Sequence, residues 1–434
     1  MTKTLYLIIF FLLFTHHTFS QDKTKAVLSI QPEYQAEIKN LAQKKDVQFA
    51  FQLIESQRDR TLKDHITLTE IEAPPFKEEK RAARFLEMIR VLKPDSIWMD
   101  RVGNVLALRK GTKGGKTVAL DAHLDTVFPE GTDVKVKMRG DTLYAPGASD
   151  DTRGLAMLIR VLSAMNEANI QTKSDVLFVG SVGEEGLGDL RGVKHLFSEQ
   201  GVKIDSWIAI DGGAIGRVNN QGLGSYRYRI TFNGPGGHSW GAFGLANPHH
   251  ALGTAIHYFV KDADRFTAYG PKTSYNVGVI RGGTSINSVP FSSEMEIDIR
   301  SLSPARLDSM EQILKTAVYK ALDEQNNIRR IGKELTVDFD KIGNRPSGEL
   351  SEDLPIIQRA MACTAFFGKR PQLTRGSTNS NIPISMGIPA VTIGRGGLGR
   401  NAHSLDEWWL DVQGYKSTQM ALLLLLAEAG IAEK

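Results

Sequence analysis

The chain has 434 residues, 41% hydrophobic and 24% charged, which excludes a disordered or collagen-like protein and predicts two domains, because single cores stop growing at about 250–300 residues. Its one cysteine, Cys363, excludes an intramolecular disulfide and a cysteine-rich metal site, so only His, Asp and Glu could hold a metal ion. The formal net charge of +4, spread over 53 basic and 49 acidic residues, is too small for a nucleic-acid-binding surface and favours a small-molecule or peptide partner.

Residues 1–20 have the pattern of a secretory signal, with Lys3, then an apolar run at residues 5–14, then a polar stretch that ends at Ser20. The apolar run is too short to span a membrane, which needs about 20 residues. We therefore expect cleavage before Gln21, an exported protein that is periplasmic or extracellular, and no stable membrane anchor. The alternative is a buried N-terminal strand.

Residues 33–92 carry apolar residues at helical spacing and are predicted to pack as helices on a sheet. The next predicted elements are strands at 104–108 and 117–120, a helix at 154–168, and strands at 176–182 and 206–210. A glycine-rich turn joins the first two strands, which are predicted to pair. The alternation of strand and helix predicts an α/β layer with a largely parallel sheet.

From Ser225 the pattern changes to a β-α-β-β-α-β order, which is typical of ferredoxin-like α+β units. The predicted strands are 226–232, 274–279, 294–299 and 334–339, and the predicted helices are 248–263 and 303–326. We interpret residues 223–343 as an inserted lid and dimerisation domain. Residues 21–222 and 344–434, with a buried strand at 388–393 and a closing helix at 413–429, would form the catalytic domain.

Five polar motifs fall at the ends of predicted strands or just before the helix at 154–168. They are Asp121-Ala122-His123-Leu124-Asp125, Ser149-Asp150-Asp151, Gly183-Glu184-Glu185-Gly186, Asp211-Gly212-Gly213 and Arg400-Asn401-Ala402-His403. Loops at the carboxyl ends of strands are where α/β sheets place their sites. Each motif alone has a simpler explanation, since adjacent acids can cap a helix and paired glutamates can lie in a solvated turn. Their coincidence in one layer favours a site.

Two histidines, several carboxylates and no thiolate suit a hydrolytic site with two divalent ions about 3.5–4 Å apart, bridged by a carboxylate. His123 can bind a metal ion through one ring nitrogen while Asp125 accepts a hydrogen bond from the N–H of the other. Paired glutamates at the mouth of a buried strand repel each other unless a cation or a proton compensates. Zinc is the leading metal, with manganese and cobalt as alternatives, because N/O sites discriminate by geometry and supply.

With these motifs the sequence resembles the co-catalytic zinc exopeptidase superfamily that includes peptidase T, glutamate carboxypeptidase, carnosinase-type dipeptidases and the succinyl-diaminopimelate and acetylornithine deacylases. The resemblance covers nearly the whole mature chain. The stretches that carry it are His123-Leu124-Asp125-Thr126-Val127, Gly147-Ala148-Ser149-Asp150-Asp151, Gly183-Glu184-Glu185-Gly186, Asp211, Gly234-Pro235-Gly236-Gly237-His238-Ser239, Asp298-Ile299-Arg300, Gly376-Ser377-Thr378-Asn379 and His403-Ser404.

The resemblance implies two zinc ions. One would be held by His123 and Asp211, the other by Glu185 and His403, and both by a bridging Asp150. Some relatives have glutamate where this chain has Asp211, whereas aspartate is found there in peptidase T and other aminopeptidases.

The resemblance also assigns the reacting groups. Glu184 would be the general base that takes a proton from the metal-activated water and delivers it to the leaving amine. Asp125 would orient His123, and the Asp150–Asp151 peptide would be cis. His238 of the lid would stabilise charge on the carbonyl oxygen, often by reaching across a dimer. The alternative for His238 is a loop histidine without a role.

Four further residues are candidates for substrate binding. Asn287 and Arg300 resemble lid residues that grip the backbone and terminal carboxylate of a substrate, and a guanidinium such as that of Arg300 fits a carboxylate bidentately. Ser377 and Thr378 resemble part of the loop that lines the substrate carboxylate pocket. For Arg300 the alternative is a surface arginine on a strand.

The resemblance therefore predicts an exported dizinc exopeptidase that acts on small peptides, as an aminopeptidase, a tripeptidase or a carboxypeptidase. One alternative is an amidohydrolase that removes an acyl group from N-acyl amino acids. Another is a catalytically silent peptide- or metal-binding protein, against which the retained Glu184 and Glu185 argue. The role of His238 predicts a homodimer through the lid.

Overall fold

The computed structural model describes residues 29–433, so the predicted signal sequence lies outside the described residues. The helices are α1 (Pro32–Ala42), α2 (Lys45–Ser56), α3 (Arg58–Thr69), α4 (Glu79–Arg90), α5 (Thr152–Glu167), α6 (Arg191–Leu196), α7 (Pro248–Thr267), α8 (Pro304–Ile328), α9 (Pro355–Phe366), α10 (Asn381–Ser385) and α11 (Tyr415–Ala429). The strands are β1 (Ser96–Met99), β2 (Val105–Arg109), β3 (Thr117–His123), β4 (Lys137–Arg139), β5 (Thr142–Tyr144), β6 (Asp175–Ser181), β7 (Ser206–Ile210), β8 (Arg217–Gly222), β9 (Gly224–Asn233), β10 (Gly237–His238), β11 (Thr273–Gly282), β12 (Ser288–Val289), β13 (Ser292–Ser301), β14 (Thr336–Arg345), β15 (Gly348–Glu349), β16 (Gln372–Gly376), β17 (Ala390–Ile393), β18 (Leu398–Arg400) and β19 (Trp408–Leu410).

The largest sheet has nine strands in the order β1-β2-β6-β3-β7-β17-β8-β15, with β16 alongside β8. Its four central strands, β6, β3, β7 and β17, run parallel, and the antiparallel pairs lie toward its two edges. The predicted α/β fold with a mainly parallel sheet is confirmed. Parallel neighbours end at the same edge of the sheet, so the loops after β3, β6 and β7 are brought together.

The predicted pairing of the strands at 104–108 and 117–120 is wrong, because β6 lies between β2 and β3. It runs antiparallel to β2 and parallel to β3. The turn that joins β2 to β3 therefore crosses the start of β6, where the Gly111 amide donates to Asp175 Oδ1 at 2.7 Å. A Cβ on Gly111 would lie 2.4 Å from the Lys173 carbonyl oxygen, so this close crossing requires glycine.

Helices cover both faces of the large sheet. Along β6, Val176 and Phe178 face a core built largely from α5, α9 and α11, whereas Leu177 and Val179 face a second core that includes α6 and α10. This alternation is the two-residue period of a strand buried on both faces. Cys363 of α9 is buried in the first core, as its apolar helix predicts.

A second layer is formed by β9, β11, β13 and β14, an antiparallel sheet in the order β11-β13-β9-β14, with α7 and α8 packed on it. The predicted β-α-β-β-α-β order of elements is found here. This layer has its own core, to which β9 contributes Tyr228, Ile230 and Phe232 at alternate positions. Its last strand, β14, extends to Arg345 and so reaches the loops of the large sheet.

Two small sheets complete the structure. The strands β18, β19, β5 and β4 form one of them, and the β10–β12 pair forms a two-stranded ribbon. The sequence patterns did not predict these strands or β1, β8, β15 and β16, because segments of two to six residues are too short to show a clear periodicity. Within the described residues, no helix has both the length and the apolar character of a membrane span.

Candidate metal centre and substrate cavity

The side chains of the five sequence motifs meet at one edge of the large sheet. His123 is the last residue of β3, Glu184 and Glu185 follow β6, and Asp211 follows β7 directly. Asp150 precedes α5, whose first residue is Thr152. Because β6, β3 and β7 are parallel neighbours, their carboxyl ends place these acids around the same cavity.

Asp150 lies between the two predicted histidine ligands. Its Oδ1 is 3.1 Å from His123 Nε2, and its Oδ2 is 3.4 Å from His403 Nε2. His403 Nε2 is also 2.9 Å from Glu185 Oε1. Ligand atoms of His123, Asp150 and Glu185 all lie within 4.8 Å of one another. Imidazole nitrogens and carboxylate oxygens converge here as they do around divalent ions.

The electrostatics of this cluster favour a cation. Hydrogen bonds to Asp150 and Glu185 raise the pKa of His403 to about 10. Burial lowers the pKa of His123, but its hydrogen bond to Asp150 and the neighbouring carboxylates raise that pKa well above the ordinary value. The excess of carboxylates thus draws positive charge to this point, and bound divalent ions would supply it while leaving both imidazoles neutral. The residues present therefore fit a metal centre.

Asp125 holds both the first histidine and the glutamate pair. The Nδ1–H of His123 donates to the main-chain carbonyl of Asp125 at 3.0 Å, and the Asp125 carboxylate lies at 3.7 Å. The carboxylate itself accepts the amide protons of Glu184, at 3.0 Å, and Glu185, at 2.7 Å. With its proton on Nδ1, His123 presents the lone pair of Nε2 toward Asp150.

Asp211 borders the same cavity. Burial raises the pKa of its carboxyl, and the nearby Asp150 raises this pKa further. The guanidinium nitrogen Nη1 of Arg395 lies 3.9 Å from Asp211 Oδ1. A buried acid beside another acid gains from a shared cation, which agrees with a metal-binding role.

Glu184, the predicted base, is buried against an arginine that the sequence analysis missed. Arg345, at the end of β14, donates from Nη1 to Glu184 Oε1 at 3.2 Å and to Ser377 Oγ at 3.0 Å, and from Nη2 to the Glu184 carbonyl oxygen. Burial raises the pKa of Glu184 well above its usual value, and the charge of Arg345 opposes that rise. The predicted strand at 334–339 stopped short of Arg345, and a register shift between Lys341 and Gly343 interrupts the alternation that would have extended it.

Glu407 is a second residue that the sequence analysis missed. Its buried carboxylate accepts the amides of Gly147, Ser149 and Asp150 at 3.0, 2.6 and 3.0 Å, and the Ser149 hydroxyl at 2.9 Å. These bonds fix the loop that carries Asp150. The Asp150–Asp151 peptide in this loop is cis, as the family resemblance implied.

The substrate candidates divide into two groups. Arg300, Ser377 and Thr378 line a cavity of about 480 Å³ together with the acids and His403. His238 and Asn287 are not among the residues that line it and lie instead on the β10–β12 ribbon, where Ser239 N donates to the Asn287 carbonyl at 2.9 Å. His238 Nδ1 accepts the amides of Trp240 and Gly241 at 3.2 Å, which leaves its Nε2–H free to donate.

Comparison with known proteins agrees with this arrangement. A family model described as Peptidase family M20/M25/M40 matches residues 119–427. Carboxypeptidase G2 of Pseudomonas sp. (strain RS-16) is 25% identical over 391 residues, which is 86% of this chain and 89% of that protein. Succinyl-diaminopimelate desuccinylase of Leptothrix cholodnii is 27% identical over 327 residues, 71% of this chain and 81% of that protein.

Solved structures share the fold. A tripeptidase from Staphylococcus aureus superposes with a TM-score of 0.68 at 20% identity, over 86% of this chain and 98% of that one. Aminopeptidase PepT from Bacillus cereus superposes with a TM-score of 0.66, also at 20% identity and over 86% of this chain and 98% of that one.

Proposed function

Since the chain belongs to peptidase family M20/M25/M40, and so is a metallopeptidase that hydrolyses amide bonds, we propose that it is an exported dizinc exopeptidase acting on small peptides. One observation carries the proposal. Asp150 lies between two imidazoles, at 3.1 and 3.4 Å, in the cavity that also contains the buried carboxyl of Glu184.

In this proposal His123, Asp211, Glu185, His403 and Asp150 would together hold the two ions. Bound divalent ions would supply Lewis acidity and a water molecule activated at neutral pH. Zinc is favoured, and manganese or cobalt would suit the same oxygen and nitrogen donors.

A side chain of the protein then transfers the proton of the attacking water. Glu184 accepts it from the attacking water and returns it to the departing amine. Its burial beside Arg345 supports this role, because burial raises the pKa of the carboxyl and Arg345 holds it at one orientation. Arg300, Ser377 and Thr378 line the cavity, where they would bind a substrate carboxylate.

The ribbon that carries His238 and Asn287 supports a homodimer. Trp240, Phe243 and Ile286 flank these residues and are strongly exposed, with Trp240 at 87% of its full accessible area. Large apolar side chains clustered on a surface mark an interaction site. A second copy covering this face would bring the free Nε2–H of His238 to the cavity of its partner, where it could stabilise charge on the carbonyl oxygen.

The second candidate is an N-acyl amino acid amidohydrolase. It is favoured by the similarity to succinyl-diaminopimelate desuccinylase, whereas carboxypeptidase G2 and the tripeptidase favour an exopeptidase. A silent binding protein is disfavoured, because the base and every proposed ligand are present.

The function is tested on purified protein by metal analysis followed by mass spectrometry of a mixed pool of dipeptides, tripeptides and N-acyl amino acids. We expect about two zinc ions per chain and loss of particular peptides that a chelator abolishes. Loss of N-acyl amino acids alone would support the amidohydrolase instead. An unchanged pool after addition of zinc, manganese or cobalt would contradict both.

Export is tested separately by the intact mass of the protein recovered from its native cells and their medium. Cleavage of the predicted signal gives a chain that begins at Gln21 and is found outside the cytoplasm. A chain that still begins at Met1 and is recovered from the cytoplasm would contradict the proposal.

A further inference from the structure

The cavity is unusually rich in arginine. Besides Asp150, Glu184, Glu185 and Asp211, the lining includes five guanidinium groups, from Arg217, Arg227, Arg300, Arg345 and Arg395. Three of them are already engaged at short range. Arg227 and Arg300 both bind the Asp298 carboxylate, at 2.9 and 2.6 Å, and Arg345 binds Glu184.

Arg217 is different. Among the described residues, no carboxylate oxygen lies within 4.0 Å of its guanidinium, and none accepts a hydrogen bond from it. Two glycines border the group, since a Cβ on Gly212 would lie 2.6 Å from its Nη1 and a Cβ on Gly376 would lie 2.6 Å from its Nη2. Two glycines thus leave the space that the guanidinium occupies at the cavity wall.

Arg395 approaches the same place. Its Nη1 lies 3.7 Å from the position of a Cβ on Gly212, is buried, and has no hydrogen-bond partner among the described atoms. The acid next to it is Asp211, at 3.9 Å, which the proposed function assigns to a metal ion. Arg395 Nη2 donates to the Ser149 hydroxyl at 3.2 Å, but neither guanidinium has a carboxylate of the described residues within hydrogen-bonding distance, so a ligand carboxylate could take that place.

We propose that Arg217, with Arg395 beside it, binds a second carboxylate of the substrate, so that the preferred substrates are dicarboxylates. This deepens the proposed function and rests on it. Arg300 would take the terminal carboxylate, and Arg217 would take a carboxylate carried by the acidic side chain or the acyl group that flanks the scissile amide. A planar guanidinium suits bidentate binding of such a group.

The first test compares turnover of matched substrates by the metal-loaded protein. Peptides with Glu on either side of the amide are paired with Gln peptides, and N-succinyl amino acids with N-butanoyl ones, which separates the two sources of the carboxylate. We expect Arg217→Met to lower kcat/KM for the acidic member by about 10- to 100-fold and to change the neutral member by less than about threefold.

Two variants control for structure. Gly376→Ala keeps the charge of Arg217 but puts a methyl group 2.6 Å from its Nη2, which must then shift, so this variant should also weaken preference for acidic substrates. Arg375→Gln removes an exposed arginine on β16, the strand that carries Gly376. This arginine lies outside the cavity, so its loss should leave the preference for acidic substrates unchanged. The proposal would be overturned if the wild-type protein preferred the neutral substrate of each pair. It would also be overturned if Arg217→Met lowered kcat/KM equally for the acidic and the neutral substrate.

The second test needs no turnover and separates failure of this inference from failure of the proposed function. Calorimetry compares glutarate with pentanoate, since both offer one carboxylate to a metal ion or Arg300 and only glutarate offers another. Tighter binding of glutarate by wild type, lost in Arg217→Met, supports the second carboxylate site even if no amide is cleaved. Equal binding of the two acids by wild type contradicts it even if peptides are hydrolysed.

Discussion

Replacing Glu184 by glutamine is expected to lower kcat by about 10²–10⁴-fold, because the glutamine cannot accept the proton of the attacking water. Its side-chain oxygen can still accept the hydrogen bond from Arg345 Nη1, which spans 3.2 Å in the wild-type protein. The proposed metal ligands are untouched. Kinetics with the best substrate from the peptide pool, together with metal content, would measure the effect.

A matched control is Glu199→Gln, which makes the same chemical change at an exposed position outside the cavity. It should retain full activity and metal content. If Glu184→Gln kept wild-type kcat, Glu184 would not be the base; if it lost its metal, the fall in kcat could not be assigned to proton transfer. The melting temperature checks that Arg345, buried beside the substituted residue, has not destabilised the fold.

Replacing His238 by alanine is expected to lower kcat by about 10²–10³-fold, the usual cost of losing one donor to a developing oxyanion. The effect should occur although His238 lies outside the cavity of its own chain. A role across a dimer makes a sharper prediction. When His238→Ala and Glu184→Gln proteins are mixed and allowed to exchange subunits, about a quarter of the sites should become active, since random pairing gives half mixed dimers with one intact site each.

Subunit exchange is followed by native mass spectrometry, with His250→Ala as a control that removes an exposed histidine of α7. Activity that stays at the level of the separate variants, despite demonstrated mixed dimers, would contradict the role of His238 across the interface. A monomer by native mass spectrometry would contradict the dimer itself.

The elements predicted well are those whose burial follows a simple period. In β13, every second residue from Ser293 to Ser301 is buried. The apolar residues of α5 are numerous enough to predict a buried helix. In contrast, β8 buries Asn219 and Asn220, which an apolar pattern cannot detect, and Asn220 Nδ2 donates to the carbonyl of Leu350 at 2.7 Å. Burial of polar residues depends on partners that are distant in the sequence.

The same reason explains which site residues were missed. His123, Glu184 and Asp211 follow strands that are visible in the sequence, so their convergence could be predicted from the parallel order of those strands. Arg345 contacts a residue 161 positions away, and Glu407 accepts hydrogen bonds from amides that lie 257 to 260 positions away. No local motif marks either residue, because each is defined by the loop it supports.

The contact of Arg345 with Glu184 ties the chemistry of the large sheet to the position of the second layer. Arg345 ends β14, and two other contacts join the layers nearby: Asn344 N donates to the Asp189 carboxylate, and Arg227 Nη1 donates to the Gly186 carbonyl at 2.6 Å. A hinge motion that carried β14 outward would break these contacts together and leave the glutamate without its cation. The carboxyl of Glu184 would then be harder to ionise. Glu184 would therefore be a competent base while β14 is in place and a poor one when β14 has moved outward.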